Sequence, residues 1–194
     1  DGMELAYTSI VGGGKNACIL HYIENQDVLQ NGDLLLIDAG AEYSNYASDI
    51  TRTFPVSGKF SPAQRDLYQV VLDAQYAAIA AVKPGASWDD PHQAATHVLV
   101  DGLIRLGLLT EPRDKVLSEH LYRKFYMHKT GHWLGLDVHD VGAYKVEGQW
   151  RTLQPGMVLT VEPGLYVMPE EGVDPKWWNI GIRIEDDVLV TSTG

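Results

Sequence analysis

The sequence predicts an α+β fold built on antiparallel strands, and three observations carry that prediction. Strand-like segments come first, two helices follow, and strand-like segments return. Successive strand segments lie too close together for the crossover helix that a parallel pair needs. Two stretches also repeat each other: residues 29–40 read LQNGDLLLIDAG and residues 153–164 read LQPGMVLTVEPG. At a shift of 124, Asp38 falls on Glu162, each after an apolar run and two positions before a glycine. With 194 residues, 45% of them hydrophobic, the chain is long and apolar enough for one globular domain over 1–194.

Residues 16–24 (NACILHYIE), 33–40 (DLLLIDAG) and 45–56 (NYASDITRTFPV) read as strands, rich in β-branched and aromatic residues and bounded by Gly, Asn and Pro. Ser61-Pro62 starts a helix, the serine as cap and the proline in the first turn. Leu67, Val70, Val71, Ala74, Ala78 and Ala81 form its apolar stripe, and Lys83-Pro84-Gly85 stops it. Ser87 caps a second helix that runs to Leu106, where Gly107 ends it. Residues 108–126 show no clear pattern. Beyond 127, HWLGLDVHDV, MVLTVEPGLYV and IGIRIEDDVLVT read as strands. The opening, DGMELAYTS, has no initiator Met, basic segment or apolar core, so it is no signal peptide and reads as a cut inside a larger protein.

The formal net charge of −11 argues against nucleic acid. No apolar run approaches the roughly 20 residues of a membrane span. One cysteine, Cys18, rules out an internal disulfide and fits a cytoplasmic setting; its place in an apolar strand pattern makes it a core residue. There is no GxSxG elbow, and GGGK at 12–15 lacks the spacing of a phosphate loop and reads as a turn.

The carboxylates carry the functional signal. Asp38 and Asp49 have indices summing to 87, which centres a hairpin near Tyr43-Ser44. Glu162 and Glu185 sum to 347, which centres one in the turn-rich PEEGVDP stretch. Each pair then sits opposite across its own hairpin, with Cβ atoms about 5 Å apart. Bare carboxylates at that distance repel, and divalent cations remove the cost. Two cations held there would be roughly 3.5–4 Å apart; they would bring the formal −11 to −7. Three histidines cluster in MHKTGHWLGLDVHDVG (His128, His132 and His139), and His21 stands alone in NACILHY. One imidazole among four acids suits Mn, Co, Fe or Zn. His92, His97 and His120 fall in or near helical segments and read as structural; Trp177-Trp178 reads as a packed or interface patch.

In this order and context, Asp38, Asp49, His132, Glu162 and Glu185 resemble the ligand set of the pita-bread metallopeptidases, the family of methionine aminopeptidase, prolidase, aminopeptidase P and the non-metal creatinase. The segments NACILHY, IDAGAEYSNYASDITRTFPVSGKFS, GHWLGLDVHDVG, LQPGMVLTVEPGLY and GIRIEDDVLVT are most similar to the aminopeptidase P group, which acts on peptides with proline in second place. The resemblance implies a curved antiparallel sheet with helices on its outer face and pseudo-twofold halves. It also implies an N-terminally truncated chain, without the family's first helices and N-terminal domain. It implies two divalent ions, Mn2+ foremost and Co2+, Zn2+ or Fe2+ as alternatives. Asp49 and Glu185 would bridge them, Asp38 would hold one, and His132 and Glu162 the other. A hydroxide between the ions would attack the Xaa-Pro bond, with Glu162 as proton acceptor. His21 and His139 would contact substrate, His128 would lie near the scissile bond, and Arg183 would order the substrate side. The complete protein would be a homo-oligomer. Prolidase and a non-catalytic binding module of the same fold remain the alternatives. Lys129 follows His128 where relatives more often carry a small residue, and it reads as pointing outward.

Overall fold

In the computed structural model, which describes residues 2–194, strands β1 (Met3–Leu5) and β2 (Ile10–Gly13) lead into β3 (Leu34–Asp38), β4 (Ala41–Tyr43) and β5 (Thr51–Pro55). Helices α1 (Pro62–Ala81), α2 (Asp90–Arg105) and α3 (Arg113–Ser118) follow. The last third carries β6 (Lys145–Val146), β7 (Gln149–Trp150), β8 (Val158–Val161), β9 (Gly164–Val167), β10 (Ile180–Arg183) and β11 (Asp186–Leu189). Every strand pairing among the described residues is antiparallel: β2–β3–β5, β8–β11, β9–β10, β1–β4 and β6–β7. The repeated stretches become corresponding strands, β3 and β8.

The two acid-bearing hairpins differ in register. In the second, Val161 faces Asp186 and Gly164 faces Arg183, so the index sum is the expected 347 and Glu162 falls opposite Glu185. In the first, Asp38 faces Thr51 and Tyr43 bridges Tyr46, an index sum of 89 rather than 87. Ser44 (φ 51°) and Asn45 (φ 63°) make a two-residue turn of left-handed residues, one position later than the sequence suggested. Asp38 and Asp49 are therefore diagonal neighbours, not opposite partners. A slip of two leaves every side chain on its original face, because strand side chains alternate with period two.

Two expected strands do not form. The 16–24 segment begins inside a 3-10 helix, Gly14–Cys18, closed by the Ile19 amide on the Asn16 carbonyl at 3.0 Å. The Asn16 side chain is committed to Asp27 at 2.7 Å. Residues 132–141 turn on themselves instead of extending: the Gly135 amide donates to the Asp137 carbonyl and the Asp140 amide to the Trp133 carbonyl. A side chain at Gly135 would collide with the Asp140 carboxylate. Only Trp133 of this stretch makes a strand bridge, to Leu159. Cys18 accordingly sits at the end of the 3-10 helix, half-buried, rather than within a strand, and Gly12 and Gly13 belong to β2.

Helix α1 starts as the sequence predicts. Ser61 Oγ accepts the Gln64 amide at 3.2 Å and the Gln64 side chain takes the Ser61 amide at 2.8 Å, a complete capping box. Leu67, Val70, Val71, Ala74 and Ala78 are fully buried against α2 and against β8, β9 and β10; Ala81 is half-buried. The cap of α2 is Asp89, not Ser87: the Asp90 carboxylate takes the Ser87 amide at 2.8 Å, and Pro91 occupies the first turn. Trp177 is packed in the same core. The two halves join along the edge of β5. Thr53 Oγ1 donates to the Arg183 carbonyl at 3.0 Å, and the Glu185 amide donates to the Thr51 carbonyl at 3.1 Å.

Candidate metal centre

Glu162 and Glu185 sit where their strands break. Pro163 has no amide to give the ladder, so β8 ends at Val161 and β9 begins at Gly164; opposite, Ile184-Glu185 separates β10 from β11. Asp38 closes β3, and Asp49 approaches on the diagonal, just ahead of β5. His132 arrives on an irregular segment stitched to β8. Its amide donates to Thr160 Oγ1 at 3.1 Å, its carbonyl accepts the Thr160 amide at 3.0 Å, and the Thr130 carbonyl accepts the Glu162 amide at 2.7 Å. Gly131 permits this approach, since any Cβ there would strike the Thr160 carbonyl.

The result is one cleft of about 400 Å³. Its wall includes all nine residues singled out in the sequence: His21, Asp38, Asp49, His128, His132, His139, Glu162, Arg183 and Glu185. Three sets of donor atoms lie within 4.8 Å of one another: Asp38, Asp49 and Glu185; His132, Glu162 and Glu185; and Asp49, His132 and His139. Glu185 belongs to two of these sets, and so does Asp49.

The donor chemistry fits divalent cations. His132 Nδ1 lies 2.9 Å from the Trp133 carbonyl, which fixes Nδ1–H as donor and turns Nε2 toward Asp49 Oδ2 (3.3 Å) and Glu162 Oε1 (3.7 Å). Tyr7 hydroxyl stands between Asp38 Oδ1 at 2.5 Å and Asp49 Oδ1 at 2.6 Å. One hydroxyl hydrogen serves one of these contacts at a time, so the other is a close pair of oxygens that needs a proton or a cation between them. Among the described residues, Arg183 is the only guanidinium lining this cleft: it reaches Asp38 Oδ2 at 2.7 Å, Thr51 Oγ1 at 3.1 Å and Tyr166 hydroxyl at 3.2 Å, and lies 3.9 Å from Glu185. Thr51 Oγ1 in turn donates to Glu185 Oε2 at 2.6 Å.

The electrostatics reflect crowding. Burial pushes the Glu162 carboxyl up to about 7, with Asp49 and Asp38 adding to the effect against His132 and Arg183. Burial, then the charges of Glu162, Asp49 and Asp38, raises Glu185 well above the carboxylate range. Asp38 is raised by burial despite Arg183. Asp49 alone is lowered: burial opposes ionisation, but hydrogen bonds from His132 and Tyr7 outweigh it. Burial would lower Arg183, yet Tyr166, Asp38 and Glu185 hold it above its ordinary value. A site that leaves three of its four acids reluctant to ionise is short of positive charge.

The other histidines divide. His128 has both nitrogens engaged, Nδ1 with the Lys129 carbonyl at 2.7 Å and Nε2 with Tyr166 hydroxyl at 2.9 Å, and burial lowers it to about 4. His139 is exposed, its ring 4.3 Å from that of His132, and His21 is an exposed residue of the same cleft lining. Lys129 lines the cleft rim instead of pointing away, with Nζ 3.7 Å from Asp89. His92, read as structural, bonds Thr130 Oγ1 at 2.8 Å and lines a neighbouring cavity. Tyr7, Thr51, Thr160 and Tyr166 were missed. Thr51 and Thr160 each stand two positions from an acid, Asp49 and Glu162, hence on the same strand face, and that spacing could have found them. Tyr7 and Tyr166 offered no spacing signal.

Comparison with known proteins settles the family. The model of metallopeptidase family M24 matches residues 1–192. The chain belongs to this family. Among curated M24 relatives, it is 50% identical over 189 residues to Xaa-Pro aminopeptidase of Escherichia coli, covering 97% of this chain and 43% of that protein. It is 52% identical to Xaa-Pro aminopeptidase of Haemophilus influenzae, covering 97% and 44%. The structure of Pseudomonas aeruginosa aminopeptidase PepP superposes with a TM-score of 0.96 at 55% identity, over 98% of this chain and 43% of that one. The fold is therefore the pita-bread fold of the M24 aminopeptidases, and the chain spans less than half the length of these relatives. Membership in a metallopeptidase family brings divalent metal ions with it. No helix among the described residues is long and apolar enough to cross a membrane.

Proposed function

We propose that residues 1–194 form the catalytic domain of a Xaa-Pro aminopeptidase, a hydrolase that releases the first residue of peptides with proline in second place. The convergence of Asp38, Asp49, His132, Glu162 and Glu185 on one cleft carries this reading, and the Xaa-Pro aminopeptidases at about 50% identity support it. By the family resemblance, Asp49 and Glu185 would be the ligands common to two ions, Asp38 would complete one site, and His132 with Glu162 the other; all five fall in the donor sets of the cleft. Four carboxylates with one imidazole favour Mn2+, with Co2+, Zn2+ or Fe2+ as alternatives. When bound, the ions lower the pKa of water and polarise the scissile carbonyl.

The chain's own residues do the rest. Glu162, in one donor set with His132 and Glu185, would be the proton acceptor for the attacking water and would pass that proton to the leaving nitrogen. Arg183 holds Asp38 in place and, through Tyr166, orients His128. His21 and His139 are exposed residues of the cleft lining and are placed to contact a peptide there. His139 lines the cleft and can donate to a developing oxyanion. The net charge of −11 disfavours nucleic acid, the single cysteine suits the cytoplasm, and the family resemblance favours a homo-oligomer.

The test is hydrolysis by the Mn2+-loaded protein of a dipeptide Xaa-Pro against a tripeptide Xaa-Pro-Yaa. Cleavage of the tripeptide, abolished by chelation, is expected. Preference for the dipeptide would replace this reading with a prolidase, and Mn2+ binding without any cleavage would replace it with a binding module.

A further inference from the structure

A second cavity, of about 340 Å³, opens beside the catalytic cleft and shares Lys129, Gly131 and Tyr144 with it. Three aromatic rings wall it: Trp88, Tyr144 and Trp150. Trp88 rests on the buried Trp133 at 4.0 Å and so is anchored on the core, while Tyr144, 38% exposed, packs on Trp88 with centroids 4.9 Å apart. Trp150 stands on the short β6–β7 hairpin at the rim, with 36% of its surface exposed. The back of the cavity is formed by His92, whose Nδ1 is tied to Thr130 Oγ1 and which burial lowers to about 4, so it is uncharged at neutral pH. The two charged groups present neutralise each other, Lys129 Nζ lying 3.7 Å from Asp89 Oδ1. An apolar, aromatic-walled space with its charges already paired suits an apolar guest and not an ionic one.

We propose that this cavity is a specificity subsite that takes a large apolar or aromatic side chain from the leaving part of the peptide. The proposal rests on the aminopeptidase reading above. The cavity's lining contains none of the nine site side chains, so a guest there lies away from the reacting bond, where substrate residues on the C-terminal side of that bond extend. The two spaces meet at Lys129, Gly131 and Tyr144. An extended peptide rises about 3.3 Å per residue, so a side chain a few positions past the proline can reach beyond that shared lining.

The experiment compares kcat/KM of the metal-loaded protein on Xaa-Pro-Gly-Gly-Gly and on three versions with Phe at each glycine in turn. One Phe position is expected to gain roughly tenfold, the scale of filling an apolar pocket. Trp150→Ala should cut that gain to within about twofold, mainly through KM, and Trp150→Phe should restore most of it. Equal rates for all four peptides would overturn the subsite while leaving the peptidase reading standing. A Phe gain that survives Trp150→Ala would overturn it too, by placing the side chain elsewhere. Cleavage of none of the peptides would sink the functional reading and the subsite with it.

Discussion

Replacing Arg183 by Met tests the electrostatic account of the site most directly. The side chain is 4% exposed and lies 2.7 Å from Asp38 and 3.9 Å from Glu185. With both carboxylates ionised, those contacts would attract by roughly 6 and 4 kcal/mol at an effective dielectric of about 20, and the raised values of Asp38 and Glu185 make these upper bounds. Desolvating the ions costs several kcal/mol, so the net loss on removing one partner of such a buried pair is about 3–5 kcal/mol. The loss should depend on pH. Asp38 and Glu185 already sit above their ordinary values through burial, and without the cation they rise further. A buried acid with a raised pKa costs stability once pH climbs through that value, so Arg183→Met should be worse at pH 8 than at pH 5. Divalent metal should return part of the loss by supplying the missing charge. Urea unfolding of chelator-treated protein, with and without Mn2+, reads all three effects. Arg183→Lys should recover only part, because an ammonium cannot reach Asp38, Thr51 and Tyr166 together as the guanidinium does. A loss below about 1 kcal/mol, outside the 3–5 expected for a buried pair, or one that metal leaves unchanged, would refute the argument.

Three further outcomes are expected. Asp49→Asn should weaken Mn2+ binding in calorimetry by at least tenfold, since Asp49 belongs to two donor sets, and should shrink the stabilisation that saturating metal gives, about 2.7 kcal/mol per ion at a hundredfold excess over Kd. Ser61→Ala should destabilise by about 1 kcal/mol in urea titration, through loss of the Gln64 amide's acceptor. His92 is held neutral by burial, its value lowered from 6.5 to about 4; the unfolded chain therefore takes up a proton first, and stability should fall as pH drops through that window, by up to about 3 kcal/mol. His92→Gln should flatten that part of the stability profile, and an unchanged profile would show that His92 is not the group responsible.

Much of the site was legible because repetition marks it. Asp38 and Glu162 end equivalent strands, and the 347 register of the second hairpin comes from a turn fixed within PEEGVDP. The first hairpin was misplaced by two because Ser44 and Asn45 both take left-handed backbone, which a serine seldom advertises. The error was harmless to the site, since a shift of two keeps Asp38 and Asp49 on one face. Residues 132–141 misled for another reason. Their composition is strand-like, but the tight fold about Gly135 and Asp140 is a tertiary constraint that local pattern does not encode. Tyr7 was invisible: a lone tyrosine near the start of a chain says nothing about two aspartates 31 and 42 positions away.

The arrangement of charge explains why the fold tolerates four acids in one place. Arg183 compensates one of them permanently, from a strand that also forms the seam with Thr53. Three remain, and the protein meets them with single hydroxyl donors, Tyr7 and Thr51, each of which satisfies an oxygen without adding charge. Neutral donors fix geometry and leave the deficit in place. The same choice appears at His132, whose Nδ1 is spent on a backbone carbonyl so that Nε2 is turned toward the acids. A cluster built for its own stability would carry a second guanidinium or an ammonium among these acids; this one keeps their outer oxygens for exchangeable cations. Two divalent ions would over-compensate the remaining three acids by one positive charge, the sign that favours the oxyanion of a peptide bond under attack.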